Sequence, residues 1–197
     1  MTAVDTTEEK RAEPARFKRV DARRNEQSLL DAAAAVFVTS GVDAPVREIA
    51  AKAGVGMGTI YRHFPTRADL VVAVFRHQID ACVDAAPTLL RENRSPFAAL
   101  TAWTSLFVDF LVTKHGLAAA LHDDSSSFTA LHRLMIERIV PACELLVAAA
   151  ADAGEITHDI TAYELMRGIG NLCATDNNDS RYDARRMVAA LMAGLAA

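Results

Sequence analysis

Cysteine is scarce in this chain. Cys82, Cys143 and Cys173 stand far apart and form no CxxC pair. An odd number at such spacings argues against a disulfide framework, and a reduced, cytoplasmic setting is expected. No apolar run reaches the roughly 20 residues a spanning helix needs, and residues 1–15 lack a signal-peptide core, so no membrane partner is expected. Stretches of alternating apolar and polar residues are missing, as are internal repeats. The fold class expected is therefore all-α. There is no glycine-rich phosphate loop, no nucleophile motif and no convincing acid–base pair, so neither an enzyme nor a catalytic residue nor a cofactor is expected. His122, Asp123 and Asp124, with His132 further on, come nearest to a metal group. They do not have an established ligand spacing, and no metal site is expected.

What the chain does have is an ordinary globular composition, 51% hydrophobic and 23% charged over 197 residues, enough for one large or two small domains. The net charge of −4 argues at first against nucleic acid. Its distribution reverses that argument. Residues 16–67 hold nine Lys/Arg against five Asp/Glu, whereas residues 68–197 hold ten against sixteen. Positive charge concentrated in one segment is the electrostatic footprint of a nucleic-acid contact.

The same segment contains VREIAAKAGVGMGTIYRHFPTRADL, from Val46 to Leu70. Ile49, Ala50 and Ala53 give a first short helix, about Val46 to Ala53, a narrow apolar face. Gly54-Val55-Gly56 forbids its continuation, with Gly54 placed for a left-handed cap. A second helix follows from Met57 to about Phe64, with Ile60 and Phe64 facing the core. Thr59, Tyr61, Arg62 and His63 fall within about one and a half turns of it. Hydroxyls, imidazole and guanidinium donate to phosphates, and arginine also grips a guanine edge. Gly56 and Gly58 add no side chain, which lets a backbone or base come close. Thr66 with Asp69 fits a capping box for a third helix that starts at Arg67. A helical hairpin with a solvated basic face has the same composition.

This stretch resembles the DNA-binding domain of the TetR (tetracycline-repressor) family of bacterial regulators. Phe37, Gly41, Ile49, Ala50, Ala53, Gly54, Val55, Gly58, Thr59, Ile60, Tyr61, His63, Phe64 and Leu70 carry the likeness, which extends from about Ser28 to Phe75. The resemblance implies that Tyr61, His63 and Arg67 meet phosphates. It places Arg47, Met57, Gly58, Thr59 and Arg62 near base edges or the adjoining backbone. It also implies a helical C-terminal half that dimerises and binds a small effector. Three positions depart from the family pattern. Ala44-Pro45-Val46 replaces a frequent Ser or Thr at the start of the first motif helix, Met57 stands where a polar residue is common, and Arg67 replaces the usual Lys.

Around the motif the chain reads as follows. Residues 1–20 are expected to be a flexible basic arm, in which Arg16, Lys18 and Arg19 either enter a minor groove or stay solvated. Residues 21–66 form the helix-turn-helix domain, whose first helix runs from Asp21 to Ser40. Residues 67–197 form the effector-binding and dimerisation domain. Its helices are expected at Arg67 to Ala85, from Pro96 to His115, Leu117 to Leu121, Phe128 to Ala153, Ala162 to Ala174 and Asp183 to Leu195. HDDSSS at 122–127 and ATDNNDS at 174–180 are expected loops, Pro87 weakens the first of these helices, and Pro141 bends or breaks the fourth.

Trp103, Phe107, Phe110, Met135 and Met166 are candidates for the lining of an apolar effector pocket, although plain core uses the same residues. Met187, Val188, Leu191, Met192 and Leu195 form one stripe on the last helix. With the helix before it, that stripe is expected to meet a second subunit in a four-helix interface. The expected partners are thus a double-stranded DNA operator, a second copy of the chain and an apolar or aromatic small molecule. The function expected is a transcriptional regulator, a repressor released from a pseudo-palindromic operator. A helical DNA-binding or adaptor protein without an effector is the alternative.

Overall fold

The computed structural model describes the backbone of residues 9–114, 125–157, 159–174 and 181–197, and the side chains of residues 24–111, 129–157, 159–174 and 181–197. These residues form eight helices: α1 (Glu9–Ser40), α2 (Val46–Ala53), α3 (Met57–His63), α4 (Arg67–Glu92), α5 (Pro96–Lys114), α6 (Ser125–Asp152), α7 (Ala162–Cys173) and α8 (Ala184–Leu195). No strand occurs among the described residues. An isolated bridge pairs Ile156 with Ala196. The all-α expectation is met.

Local chemistry sets most of the helix ends. Gly54 takes φ 67° and ψ 27°, and the Val55 N–H reaches back to the Ala50 carbonyl at 3.0 Å. This is the Schellman closure, in which a left-handed residue stops a helix and satisfies its last carbonyls. Gly154, with φ 70°, ends α6 in the same way, the Glu155 N–H donating to Ala150 O at 2.9 Å. Thr66 caps α4 by accepting from the Asp69 N–H at 3.1 Å, while the Asp69 carboxylate accepts from the Thr66 N–H at 2.9 Å. Thr161 and Glu164 repeat that reciprocal box at α7, at 3.2 and 3.0 Å. Ser95 caps α5 by accepting from the Ala98 N–H at 3.2 Å, and Asp183 caps α8 by accepting from the Arg186 N–H at 3.1 Å.

The long helix α4 joins the two halves. Its buried stripe runs Leu70, Val71, Val74, Phe75, Ile79, Cys82 and Ala86. It packs on α5 and α6 along its length, and on α1 as well. Phe75 meets Phe110 of α5 with ring centroids 4.8 Å apart. A single apolar core therefore continues from the motif helices into the C-terminal half.

Four expectations about the elements need correction. α1 begins at Glu9, so residues 9–20 of the expected arm are helical. Glu, Lys, Arg and Ala, all good helix formers, dominate that segment. α4 continues through Pro87 to Glu92, and α6 passes unbroken through Pro141. Both prolines are exposed, as is Glu137, whose carbonyl Pro141 leaves without its helical donor. Water can take up that carbonyl, and buried Ile139, Cys143 and Leu146 hold the axis on either side. Ser125, Ser126 and Ser127 belong to α6, not to a loop. The expected helix at 117–121, the residues His122, Asp123 and Asp124, and the loop at 175–180 lie outside the described residues.

Candidate nucleic-acid interface

α2 and α3 are too short to be stable alone, and the core holds them. Ile49 and Ala50 of α2, Ile60 of α3 and Phe64 just beyond it are buried with Leu29, Ala33 and Phe37 of α1. Ile60 is the only buried residue of α3. Anchoring a seven-residue helix by one side chain leaves the rest of it facing outward. Met57 is 51% exposed and Tyr61 50% exposed. Gly58, Arg62 and His63 are exposed as well, and Thr59 is half-buried. On α2, Arg47 and Lys52 are exposed. Arg47 and Arg62 have no ion pair among the described residues. One surface thus gathers two free guanidiniums, a phenol, an imidazole and a thioether.

The glycines of this surface are informative. A Cβ added at Gly56 or Gly58 would meet nothing within 4 Å. Nothing inside the molecule therefore requires glycine there. A body approaching from outside does have a use for the missing side chains.

Seven of the eight expected DNA contacts, Arg47, Met57, Gly58, Thr59, Tyr61, Arg62 and His63, lie on α2 and α3. Arg67 differs. Its guanidinium turns inward and donates to the carbonyls of Val42 and Ala44, the latter at 2.7 Å. It also lies over the Phe37 ring, 5.9 Å from the centroid. The arrangement seen differs from the expected phosphate contact: Nη2 is committed to the carbonyls of the α1–α2 loop. The sequence did contain a signal of this: a cation in the first turn of a helix opposes the dipole unless it has a partner elsewhere. A second tie, not foreseen, joins His77 of α4 to Asp31 of α1 at 2.7 Å. Its partners are 46 residues apart, and no local pattern reveals it.

In the C-terminal half, Trp103, Phe107, Phe110, Met135 and Met166 are all buried in the common core. Trp103 and Phe107 stack nearly parallel with centroids 5.5 Å apart, and Phe110 follows at 6.1 Å. The Trp103 indole N–H donates to the Cys82 carbonyl of α4 at 2.8 Å. A cleft of about 160 Å³ between α5 and α8 is lined by Thr104, Val108, Val188 and Met192, with Arg185 among its walls. None of the five expected pocket residues borders this cleft. His132 lies among described residues that hold no metal-binding cluster.

The expected dimer stripe divides in two. Val188, Met192 and Leu195 are buried against their own subunit, because α8 packs on α5 and α7. Met187 is 42% exposed and Leu191 half-buried, its side chain 3.8 Å from where a Cβ at Gly168 would sit. Together with Ala190 and Gly194 they form an i, i+3, i+4, i+7 stripe beside the buried one. The periodicity was readable in the sequence. Which of two adjoining stripes meets the core was not, since both are apolar.

Two profiles of known families cover most of the chain. Residues 29–74 match the family of bacterial regulatory proteins, tetR family, and residues 95–197 match the C-terminal domain of SbtR-like transcriptional regulators. A crystal structure of a TetR transcriptional regulator from Streptomyces coelicolor is 35% identical, covers 86% of this chain and 97% of its own, and superposes with a TM-score of 0.72. A TetR regulatory protein from Mycobacterium vanbaalenii is 32% identical, covering 91% and 99%, with a TM-score of 0.67. The transcriptional activator FasR of Mycolicibacterium smegmatis is 36% identical over 92 residues, which are 46% of this chain and 41% of that protein. Matches to curated relatives span about half their length. These relatives are transcriptional regulators and not enzymes. No helix among the described residues is long and apolar enough to cross a membrane. With the exposed reading helix, the single core and both profiles in agreement, this chain belongs to the TetR family of helix-turn-helix transcriptional regulators.

Proposed function

We propose that the protein is a dimeric repressor that binds a pseudo-palindromic operator and leaves it when an apolar or aromatic small molecule binds the C-terminal half. The observation that carries the DNA part is α3, whose side chains, Ile60 apart, are not buried. Arg62 and Arg47 are the base readers, while Tyr61 and His63 hold phosphates. Members of the family bind DNA as dimers, and some bind small molecules, which supports the remainder. Met187, Ala190, Leu191 and Gly194 are the outward stripe of α8 that meets its copy, and the small residues let the helices come close. Two reading helices on a two-fold axis then lie roughly 34 Å apart or slightly more, one turn of the duplex.

The effector enters the body around Trp103, Phe107, Phe110, Met135 and Met166. Trp103 is bonded to α4 through Cys82, and α4 continues into the DNA-reading head. A molecule that displaces this indole therefore acts on the helix that carries α2 and α3. A preference of about 3 kcal/mol for the DNA-incompetent state lowers operator affinity roughly 150-fold.

The test uses a panel of apolar and aromatic compounds. Trp103 is the only tryptophan, so its emission reports binding nearby. The expected result is a change in Trp103 emission and release of operator at the same compound concentration. Compounds that alter the emission and leave operator affinity unchanged, or raise it, would refute release by an effector.

A further inference from the structure

We propose that Arg67 is a positioning residue for operator recognition. It clasps the α1–α2 loop to the start of α4 and thereby fixes the pose of α2 and α3, without touching DNA itself. The inference rests on the DNA-reading role of α3 proposed above.

Four features converge on this guanidinium. It donates to the carbonyls of Val42 and Ala44. Ala44 directly precedes Pro45, the residue at the N-cap of α2, so Arg67 holds the backbone where the chain turns into the motif. Val42 and Ala44 are themselves buried, which leaves their carbonyls dependent on a partner inside the protein. The guanidinium carbon also lies over the ring of Phe37, on the last turn of α1 and 2% exposed.

One side chain from the first residue of α4 thus meets the end of α1, the loop and the entry to α2. Nη2 alone donates to both carbonyls, while the guanidinium carbon lies over the Phe37 ring. Lysine ends one bond short of Nη2 in a compact, strongly hydrated ammonium, so it does not reach both carbonyls while keeping a cation over the ring. α2 has no side-chain cap of its own at Pro45, so nothing else of this kind secures its start. α2 contacts both α1 and α3, and the clasp ties that unit to α4. The Asp31–His77 pair provides a second tie between α1 and α4 ten residues further along.

The phosphate-contact role and the clasp predict opposite behaviour for two substitutions. Arg67→Lys keeps the charge and Arg67→Gln removes it. Operator affinity is measured for the full-length wild type and both variants across a salt series, by fluorescence anisotropy. The clasp predicts that both variants lose about tenfold or more in affinity, while the slope of log affinity against log salt stays at the wild-type value. Amide exchange should quicken in α2 for Arg67→Lys and stay unchanged in α7 and α8.

A fall of about 0.9 in the slope for Arg67→Gln, with wild-type affinity and slope for Arg67→Lys, would show a phosphate contact and overturn the proposal. So would wild-type affinity in both variants, or unchanged exchange in α2. A wild type that prefers no sequence would instead defeat the DNA-reading role of α3, a distinct failure.

Discussion

At the scale of single residues, the proposed DNA interface assigns some side chains to select a sequence and others only to hold the duplex. Arg62→Ala should cost about 1–3 kcal/mol on the preferred operator, because a guanine loses a two-pronged donor. Tyr61→Phe should weaken all duplexes alike, because phosphates carry no sequence. Anisotropy titrations against the operator and a scrambled duplex distinguish the two outcomes. Gly58→Ala is a sharper probe. The fold has room for the methyl group, and alanine in a helix is favoured over glycine by about 0.5–1 kcal/mol. The thermal midpoint should hold or rise while operator affinity falls. An unchanged affinity would mean that nothing approaches α3 at that point.

The cysteines report on the interior. Burial pushes the Cys82 and Cys143 thiols up to about 12, and it raises Cys173 as well. All three should resist a thiol reagent at mild alkaline pH until the protein unfolds, which mass spectrometry of the labelled chain can follow.

Among the elements, helix ends were the most legible part of the sequence, because caps are local chemistry. Gly54, Thr66 with Asp69, and Thr161 with Glu164 act where their types and spacing place them. Continuity through proline was not legible. Whether Pro87 and Pro141 interrupt a helix depends on what packs on either side and on whether the freed carbonyl reaches water, and both are matters of tertiary structure. The start of α1 was misplaced because a charge-rich composition at residues 9–20 reads as an arm, although Glu, Lys, Arg and Ala are also good helix formers.

The capping boxes give a pH prediction. Hydrogen bonds from the Thr66 side chain and backbone hold the Asp69 carboxyl below its usual range, and Thr161 does the same for Glu164. A carboxyl whose pKa is lowered on folding adds stability above its unfolded pKa and loses it as pH falls through the folded value. Stability should therefore decline on the acid side of the carboxylate range. In Asp69→Asn, which cannot ionise, that decline should be shallower. Thr66→Ala should cost about 1 kcal/mol at neutral pH through the lost cap. Denaturant melts over a pH series measure both.

For the whole molecule, the family and architecture were legible from one dense stretch of sequence, since spacing in a helix-turn-helix is dictated by the motif itself. The assembly was less so. Val188, Met192 and Leu195 proved to be buried within their own chain, and Met187, Ala190, Leu191 and Gly194 form the stripe proposed to meet a second copy. A charge at Met187 is tolerable in an isolated subunit, where that side chain is already exposed. Met187→Asp and Ala190→Asp should accordingly keep their helical content, sediment as monomers and bind operator poorly, whereas the wild type sediments as a dimer. A dimer that survives both substitutions would move the interface to another face. The expected pocket residues are buried in the core, and the sequence could not separate a ligand wall from a core because both draw on the same apolar side chains.

The central claim is that α3 reads a DNA sequence. The most direct measurement selects a binding site from a random duplex pool with the full chain, then compares affinity for that site with affinity for its scrambled counterpart near physiological salt. The account predicts a pseudo-palindromic site bound about 10³-fold or more tightly than the scramble. Equal affinity for the two duplexes would contradict it.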